Sequence, residues 1–358
     1  MKTKIQDMTS GSPGRLIILF AIPLMLGNLC QQLYTMVDTM VVGQVAGVEA
    51  LAALGAVDFL MWVVTGISTG LTQGFSIQLS QYYGAKDFEN LRKSLAHSYR
   101  LTAFIAAGVL ILSQSFASLV LTGLHTPSNI IGMSLLYLRI IFCGIPATAA
   151  YNMFASALRA MGNSKTPLTA MIIASVLNVS LDILFVAGFG WGVAGAAIAT
   201  VIAQSFSAVY CFLILRRIDI VHLTRADFMP ASGMNARLMK LGIPVVFQNI
   251  IIGVGGLVVQ YVINGYGFLF VAGFTATNKL YGLLEMAAIS YGYAIVTYVG
   301  QNLGAEKIDR IRKGVHSSML LSLLTSLIIS AAMFLFGKNI LSLFISGEPQ
   351  QTQQVLAI

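Results

Sequence analysis

Charge is what this sequence most lacks: Asp, Glu, Lys and Arg make up 9% of its 358 residues, against 57% hydrophobic residues. An ordinary soluble domain carries about 25% charged residues, so a water-facing surface could not be covered here and the chain belongs in lipid. Cysteine is scarce too. Cys30, Cys143 and Cys211 all fall within apolar stretches, with no spacing that suits a disulfide framework or a metal, so they read as small packing residues. No zinc-binding helix motif, phosphate loop or nucleophile elbow is present, and an intramembrane enzyme would need a nucleophile, acid pair or metal set with suitable spacing. No catalytic residue and no cofactor are therefore expected. Gly190 to Gly195 fits a dinucleotide fingerprint but follows no strand, and Asn178-Val179-Ser180 fits a glycosylation acceptor but lies inside an apolar span. Without a soluble energy-coupling domain, any pumping must draw on an ion gradient.

Long apolar runs are what the chain has in abundance. Stretches near 16 to 42, 51 to 77, 101 to 121, 133 to 158, 167 to 189, 192 to 215, 243 to 264, 269 to 299 and 317 to 345 can each cross a hydrocarbon core of about 30 Å as a helix. Transmembrane strands would alternate in polarity every second residue, and Ala194 to Ala203 does not. The first run is too long for the core of a cleavable signal and lacks a clear Ala-x-Ala site, so it is expected to be retained. An all-α polytopic membrane protein follows.

The net charge of +8 suggests nucleic acid until the basic residues are placed. Lys2, Lys4 and Arg15 precede span one, and Lys86, Arg92, Lys93 and Arg100 lie between spans two and three. Arg159 and Lys165 follow span four, Arg216 to Lys240 follow span six, and Lys307 to Lys313 follow span eight. The intervening loops at 43–49, 122–132, 188–192 and 264–267 contain no Lys or Arg. This alternation is the positive-inside pattern; it argues for lipid and against nucleic acid as partner, and places the N-terminus in the cytoplasm of a bacterial inner membrane.

One local pattern occurs twice. Gln81, Gly84, Ala85, Arg92 and Lys93 recur about 220 residues later as Gln301, Gly304, Ala305, Arg312 and Lys313. Ile243-Pro244 likewise answers Ile22-Pro23, and Glu348-Pro349 stands near the place of Thr126-Pro127. An even number of spans between copies keeps them in one orientation, so the pseudo-twofold axis runs along the membrane normal. The expected organisation is a six-helix lobe over 1–215, a cytoplasmic linker over 216–240 and a second lobe of about three helices over 241–358. Counterparts of spans four to six are absent from the second copy, and truncation before a tenth span is the expectation.

The residues that carry a family resemblance are Pro23 with Tyr34-Thr35-Met36-Val37-Asp38 and Val42-Gly43, then Gln81 to Ala85. Leu158 to Asn163 with Pro167, Asn178 to Asp182, and Gly192 to Thr200 extend it over essentially the whole chain. In these the sequence resembles the multidrug and toxic compound extrusion (MATE) family. The resemblance implies two helical lobes forming a V, about nine of an expected twelve helices present, and export of organic, often cationic, compounds in exchange for Na⁺ or H⁺. It also implies a cation site at Asp38, Asn178, Asp182 and Thr200 in the first lobe. Gln248 stands where another branch of the family carries an acid, which implies an incomplete second-lobe site.

The residues themselves point the same way. Ionisable groups in hydrocarbon mark functional sites by default, and Asp38, Asp58, Arg139, Asp182, Lys279 and Glu285 are the candidates taken from within the spans. Asn178 and Asp182 are four apart and share a helix face. At about 1.5 Å per residue, Asp38 lies roughly 8 Å from the outer end of its helix, Asp182 roughly 9 Å, Thr200 roughly 12 Å and Asn178 roughly 15 Å. Two carboxylates with amide and hydroxyl oxygens suit a hard cation; the alternative is bonding to neighbouring helix groups, and for Thr200 to its own backbone. Glu285 is expected as the buried acid of the second lobe, in coupling or facing a cationic drug, or else paired with a polar neighbour. Asp58 and Lys279 occupy nearly equivalent repeat positions and could pair across the cleft, whereas Arg139 is expected to snorkel.

Pro23, Pro146 and Pro244 interrupt helices, and Pro23 could act as a hinge in the helix of Asp38 or be a plain kink. Gly66, Gly70 and Gly74 are expected to pack helices closely within one lobe. Methionines and aromatics such as Met25, Met40, Met153 and Tyr34 offer a soft surface for apolar cations, or simple core. The reading that follows is a secondary multidrug exporter working by alternating access. A lipid-linked saccharide flippase would be expected to need more cavity cations than Arg139 and Lys279, and an inactive fragment that lacks its remaining helices is the other alternative. Substrate, coupling ion and oligomeric state are not encoded legibly.

Overall fold

The computed structural model describes residues 5–124, 126–264 and 268–342. Among them the regular structure is entirely helical: α1 (Pro13–Val45), α2 (Val48–Gly55), α3 (Asp58–Gly84), α4 (Phe88–Gly123), α5 (Ile131–Cys143), α6 (Ile145–Ala160), α7 (Lys165–Asp182), α8 (Gly192–Arg216), α9 (Met234–Asn264), α10 (Phe268–Gly304) and α11 (Ile308–Ser342). Six described helices are long and apolar enough to cross a membrane, or eight when two bent pairs are each taken as one span. The span expected at 269–299 falls in α10.

Two expected spans are bent rather than straight. The stretch 51–77 is α2 and α3, turned by 40°, and 133–158 is α5 and α6, turned by 46°. Gly144 makes the second break, and Pro146 then sits in the first turn of α6, where its missing N–H costs nothing. Pro23 and Pro244 stay inside unbroken helices. Helices α4, α9 and α11 begin well before their apolar cores. In α4 the extra turns are capped by Asp87, whose carboxylate accepts from the Asn90 N–H at 3.1 Å, and they bury Leu91 and Leu95. Apolar length marks the membrane portion of a helix, while caps and packing set its true ends.

The repeat is visible in atomic detail. At the end of α3, the N–H groups of Ala85, Lys86 and Asp87 bond to the carbonyls of Gln81, Tyr83 and Tyr82; at the end of α10, those of Ala305, Glu306 and Lys307 bond to Gln301, Leu303 and Asn302. Lys86 and Glu306 both have φ of 58°, and they are the non-glycine residues with positive φ among those described. Each turn is a left-handed helix stop of the same design. The repeat's expected last match, Glu348-Pro349, lies outside the described residues.

These two turns also meet. A Cβ on Gly84 would collide with the Gln301 carbonyl, and one on Gly304 would collide with the Gln81 carbonyl. Helix α3 packs on α9 and α10, while α1 packs on α10 and α11, so each lobe is bound through the leading helices of the other. Gly66, Gly70 and Gly74 belong to this seam, against the expectation of packing within one lobe. A Cβ on Gly70 would come within 2.9 Å of the Val246 backbone, Gly74 abuts Gly242, and Asn249 Nδ2 donates to the Gly66 carbonyl at 3.1 Å. The four-residue spacing was a contact stripe, but spacing does not say which helix it contacts. Gly84→Ala is expected to lower the thermal midpoint of the purified protein by the cost of overpacking, about 1–3 kcal/mol. Lys86→Gly, which relieves a left-handed backbone, should leave the midpoint unchanged or raise it.

Candidate cation site in the first lobe

Packing inside the first lobe is close because α8 is built from small residues. Gly195, Ala196, Ala197, Ala199 and Ala203 are buried, and α8 lies against α5, α6 and α7. Helix α7 packs between α1 and α8. This brings the facing residues of α1, α5, α7 and α8 together around two acids.

Asp38 is 5% exposed, and Asn178 and Asp182 are fully buried. The two carboxylates are close enough to repel one another, and Asn178 Nδ2 donates to Thr200 Oγ1 at 3.4 Å. The structure thus brings Asp38 into electrostatic reach of Asp182 and Asn178 against Thr200, with Asn178 and Asp182 one turn apart on a face of α7. Lipid-exposed carboxylates on opposite sides of the lobe would have ruled the site out.

The decisive feature is what these groups do not touch. Asp38 Oδ1, Asn178 Oδ1, both carboxylate oxygens of Asp182 and Gln204 Oε1 are buried without a hydrogen-bond partner. Buried acceptors are normally satisfied, since leaving one bare costs about 1–3 kcal/mol and more when it is charged. Acceptor oxygens of this kind are ones that a hard cation or a proton would satisfy. No group of three or more His, Cys, Asp or Glu that could hold a metal occurs among the described residues, so the donor set is two carboxylates with neutral oxygens, suited to a hard ion or to protons.

Two neighbours escaped the sequence reading. Tyr137 of α5 is buried within electrostatic reach of Asp38, Asp58, Tyr34 and Asp182. Gln204 of α8 donates from Nε2 to Tyr34 Oη at 3.4 Å. Gln204 lies one helical turn beyond Thr200 on the same face, and that spacing could have revealed it. Tyr34, weighed as substrate surface, is buried here instead. The chain leaves this pocket through an unusual turn: directly after Asp182, Ile183–Gly188 forms a π-helix, a form found disproportionately at functional sites.

The second-lobe expectations fare differently. Glu285 is exposed rather than buried, because the packed face of α10 runs through Met286, Ala287, Ser290 and Tyr291, and Glu285 lies about 100° away from Met286 on the helix. Gln248 of α9 is exposed, as is Asp58 at the start of α3, within electrostatic reach of Asp38. The Lys279 side chain lies outside the described residues, and so does its pairing with Asp58. Arg139 is exposed on α5, and Pro23 is buried within α1, fifteen residues before Asp38.

A multi-pass helical bundle with an internal repeat has the architecture of membrane transporters. The MatE family model matches residues 23–184 and 244–357, and the chain belongs to that family. It is 31% identical over 343 residues to the probable multidrug resistance protein YpnP of Bacillus subtilis, covering 96% of this chain and 77% of that protein. It is 25% identical over 341 residues to the probable multidrug resistance protein NorM of Thermotoga maritima, covering 93% and 72%. A solved MOP superfamily transporter from Pyrococcus furiosus shares the fold with a TM-score of 0.92 at 23% identity, covering 100% of this chain and 79% of that one.

If the bare oxygens hold a cation, its binding must stabilise the folded protein in proportion to occupancy, by about 2.7 kcal/mol at a hundred times the dissociation constant. Exchanging choline for Na⁺, or adding acid, is expected to raise the thermal midpoint of the wild type. Asp182→Asn should abolish whichever response is seen.

Proposed function

We propose that the protein is a secondary active exporter of drug-like, often cationic, compounds, coupled to Na⁺ or H⁺ through Asp38, Asn178, Asp182 and Thr200. The observation that carries this reading is the set of buried acceptor oxygens without donors on α1, α7 and α8. In a bacterial inner membrane with the N-terminus inside, the pocket lies in the outer half of the first lobe. A cation entering there favours whichever access state binds it more tightly, and only that difference in affinity can do work on the substrate.

Residues 1–215 and 241–358 act as the two moving bodies, and substrate occupies the cleft between them. Pro23 lies on α1 within its contact with α10, which continues to the Asn28–Ser290 hydrogen bond at 3.2 Å, and Asp38 follows on the same helix, so bending and ion occupancy can be linked there. Gln248 and Glu285, both exposed, and Asp58 serve as substrate or coupling contacts at the cleft. The names of the relatives support drug-like substrates, and no cofactor beyond the coupling ion is required.

In proteoliposomes bearing an imposed ion gradient, Asp38→Asn is expected to reduce efflux of a lipophilic cationic dye at least tenfold, with an unchanged amount of protein in the membrane. Efflux equal to wild type would reject the coupling role.

A further inference from the structure

The N-terminal segment ahead of α1 does not lie free. Met8 is fully buried in a cluster with Ile17, Phe20, Tyr291 and Tyr298 from both lobes. Its N–H donates to Gln301 Oε1 at 3.0 Å, while Gln301 Nε2 donates to the Ala160 carbonyl at 2.8 Å. The Met8 carbonyl accepts from Asn302 Nδ2 at 2.9 Å, with Arg310 Nη2 at 3.4 Å, and Arg310 Nε donates to Asn302 Oδ1 at 3.0 Å. Lys307 Nζ reaches the Thr9 carbonyl at 2.9 Å. On the other side, the Gln6 N–H donates to the Gly162 carbonyl at 3.2 Å, and Gly162, with φ of 89°, has no room for a Cβ beside the Gln6 carbonyl.

One short strap is thus held by the α6–α7 turn of the first lobe and by the α10–α11 turn of the second. Gln301 joins all three at once, and both it and Asn302 are fully buried. The strap is pre-shaped by Asp7, which accepts from the Thr9 N–H and hydroxyl at 2.7 Å and from the Ser10 hydroxyl at 3.1 Å. Burial pushes the Asp7 carboxyl up, but those hydrogen bonds and the Lys307 charge outweigh it and hold it below its usual range.

The repeat supplies a comparison. The linker ahead of α9 lies across the first lobe in the same manner: the carbonyl of Phe228, offset from Met8 like the other repeat pairs, accepts from Arg100 Nη1 at 2.9 Å. His97 contacts the Met229 carbonyl at 3.0 Å and Asn235 Oδ1 at 2.7 Å, and Arg92 pairs with Asp227 at 3.7 Å. The linker is covalently tied to both lobes and cannot leave. The strap before α1 continues into α1, and its described attachments to the α6–α7 and α10–α11 turns are hydrogen bonds and one buried methionine.

We propose that residues Gln6 to Thr9 are a releasable clasp that holds the two lobes together at their basic end, and that its departure from Gln301, Asn302 and Arg310 is a step in opening the cleft to that side. The proposal rests on the alternating-access reading, because only a transporter must separate these ends in its working cycle. The seam beneath the clasp is tight, with Gly84 against Gln301, Gly304 against Gln81, and Gly300 against Ser80. Gln301 is the residue whose loss frees strap and lobe together.

The test reads the seam directly and does not depend on transport. With Cys30, Cys143 and Cys211 replaced, Ser80→Cys places one thiol under the clasp, and the full chain in nanodiscs is labelled with a hydrophilic maleimide. Gln301→Leu is expected to raise the labelling rate tenfold or more. To separate release from misfolding, a protease site in the exposed stretch Ser10 to Ser12 removes the strap after the protein has folded, and the same acceleration is expected. Unchanged labelling after the cut overturns the clasp. Accelerated labelling in a protein that moves no dye upholds it while rejecting the exporter.

Discussion

The two lobes meet where the backbone is bare. At Gly84 and Gly304 each helix end presses against the carbonyl of the other repeat's glutamine, and at Gly74 one helix backbone rests on the glycine of another. Nothing larger than hydrogen fits. Because this approach is set by backbone rather than by side-chain tips, it fixes how far apart α3, α9 and α10 stand and therefore how α1 meets α10. The reciprocal placement of the two contacts is the repeat expressed as a joint, and the paired turns at Lys86 and Glu306 are its two halves.

From that joint the two functional regions separate. Helices α7 and α8 pack on α1, α5, α6 and each other, so the bare oxygens of Asp38, Asn178, Asp182 and Gln204 sit inside one lobe rather than across the seam. The strap through Met8 does the reverse, belonging to the seam and touching both lobes. Helix α1 is common to both: it begins at the strap, passes Pro23 and ends beyond Asp38. The proposed ion occupancy and the lobe contact therefore act on the same helix.

Much of this was legible in the chain. Apolar runs marked the helices, because a hydrocarbon environment permits few ways to satisfy a backbone; of the nine spans they suggested, six to eight pass as membrane-crossing among the described residues. The acids of the pocket stood out because charge in hydrocarbon is costly, and the four-residue step from Asn178 to Asp182 put them on one face. What the sequence hid were relations between helices. The stripe Gly66, Gly70, Gly74 announced a close contact without naming α9 as its partner. Glu285 looked buried because its helix is apolar, yet burial is decided by which face packs, and that face belongs to Met286 and Ser290. Tyr137 was invisible as a pocket residue because a tyrosine in an apolar run carries no charge to betray it. The strap was missed because eight residues without apolar periodicity look like an unstructured leader.

The π-turn after Asp182 has a geometric consequence of its own. A π-bulge holds one more residue than the α-helix around it, which shifts the angular setting of everything downstream. Here the π segment runs to the end of its helix: the aromatic stack of Phe185, Phe189 and Trp191 fills the turn that follows, and α8 starts directly after it at Gly192, so Asp182 stands at the last α-helical position before the corner.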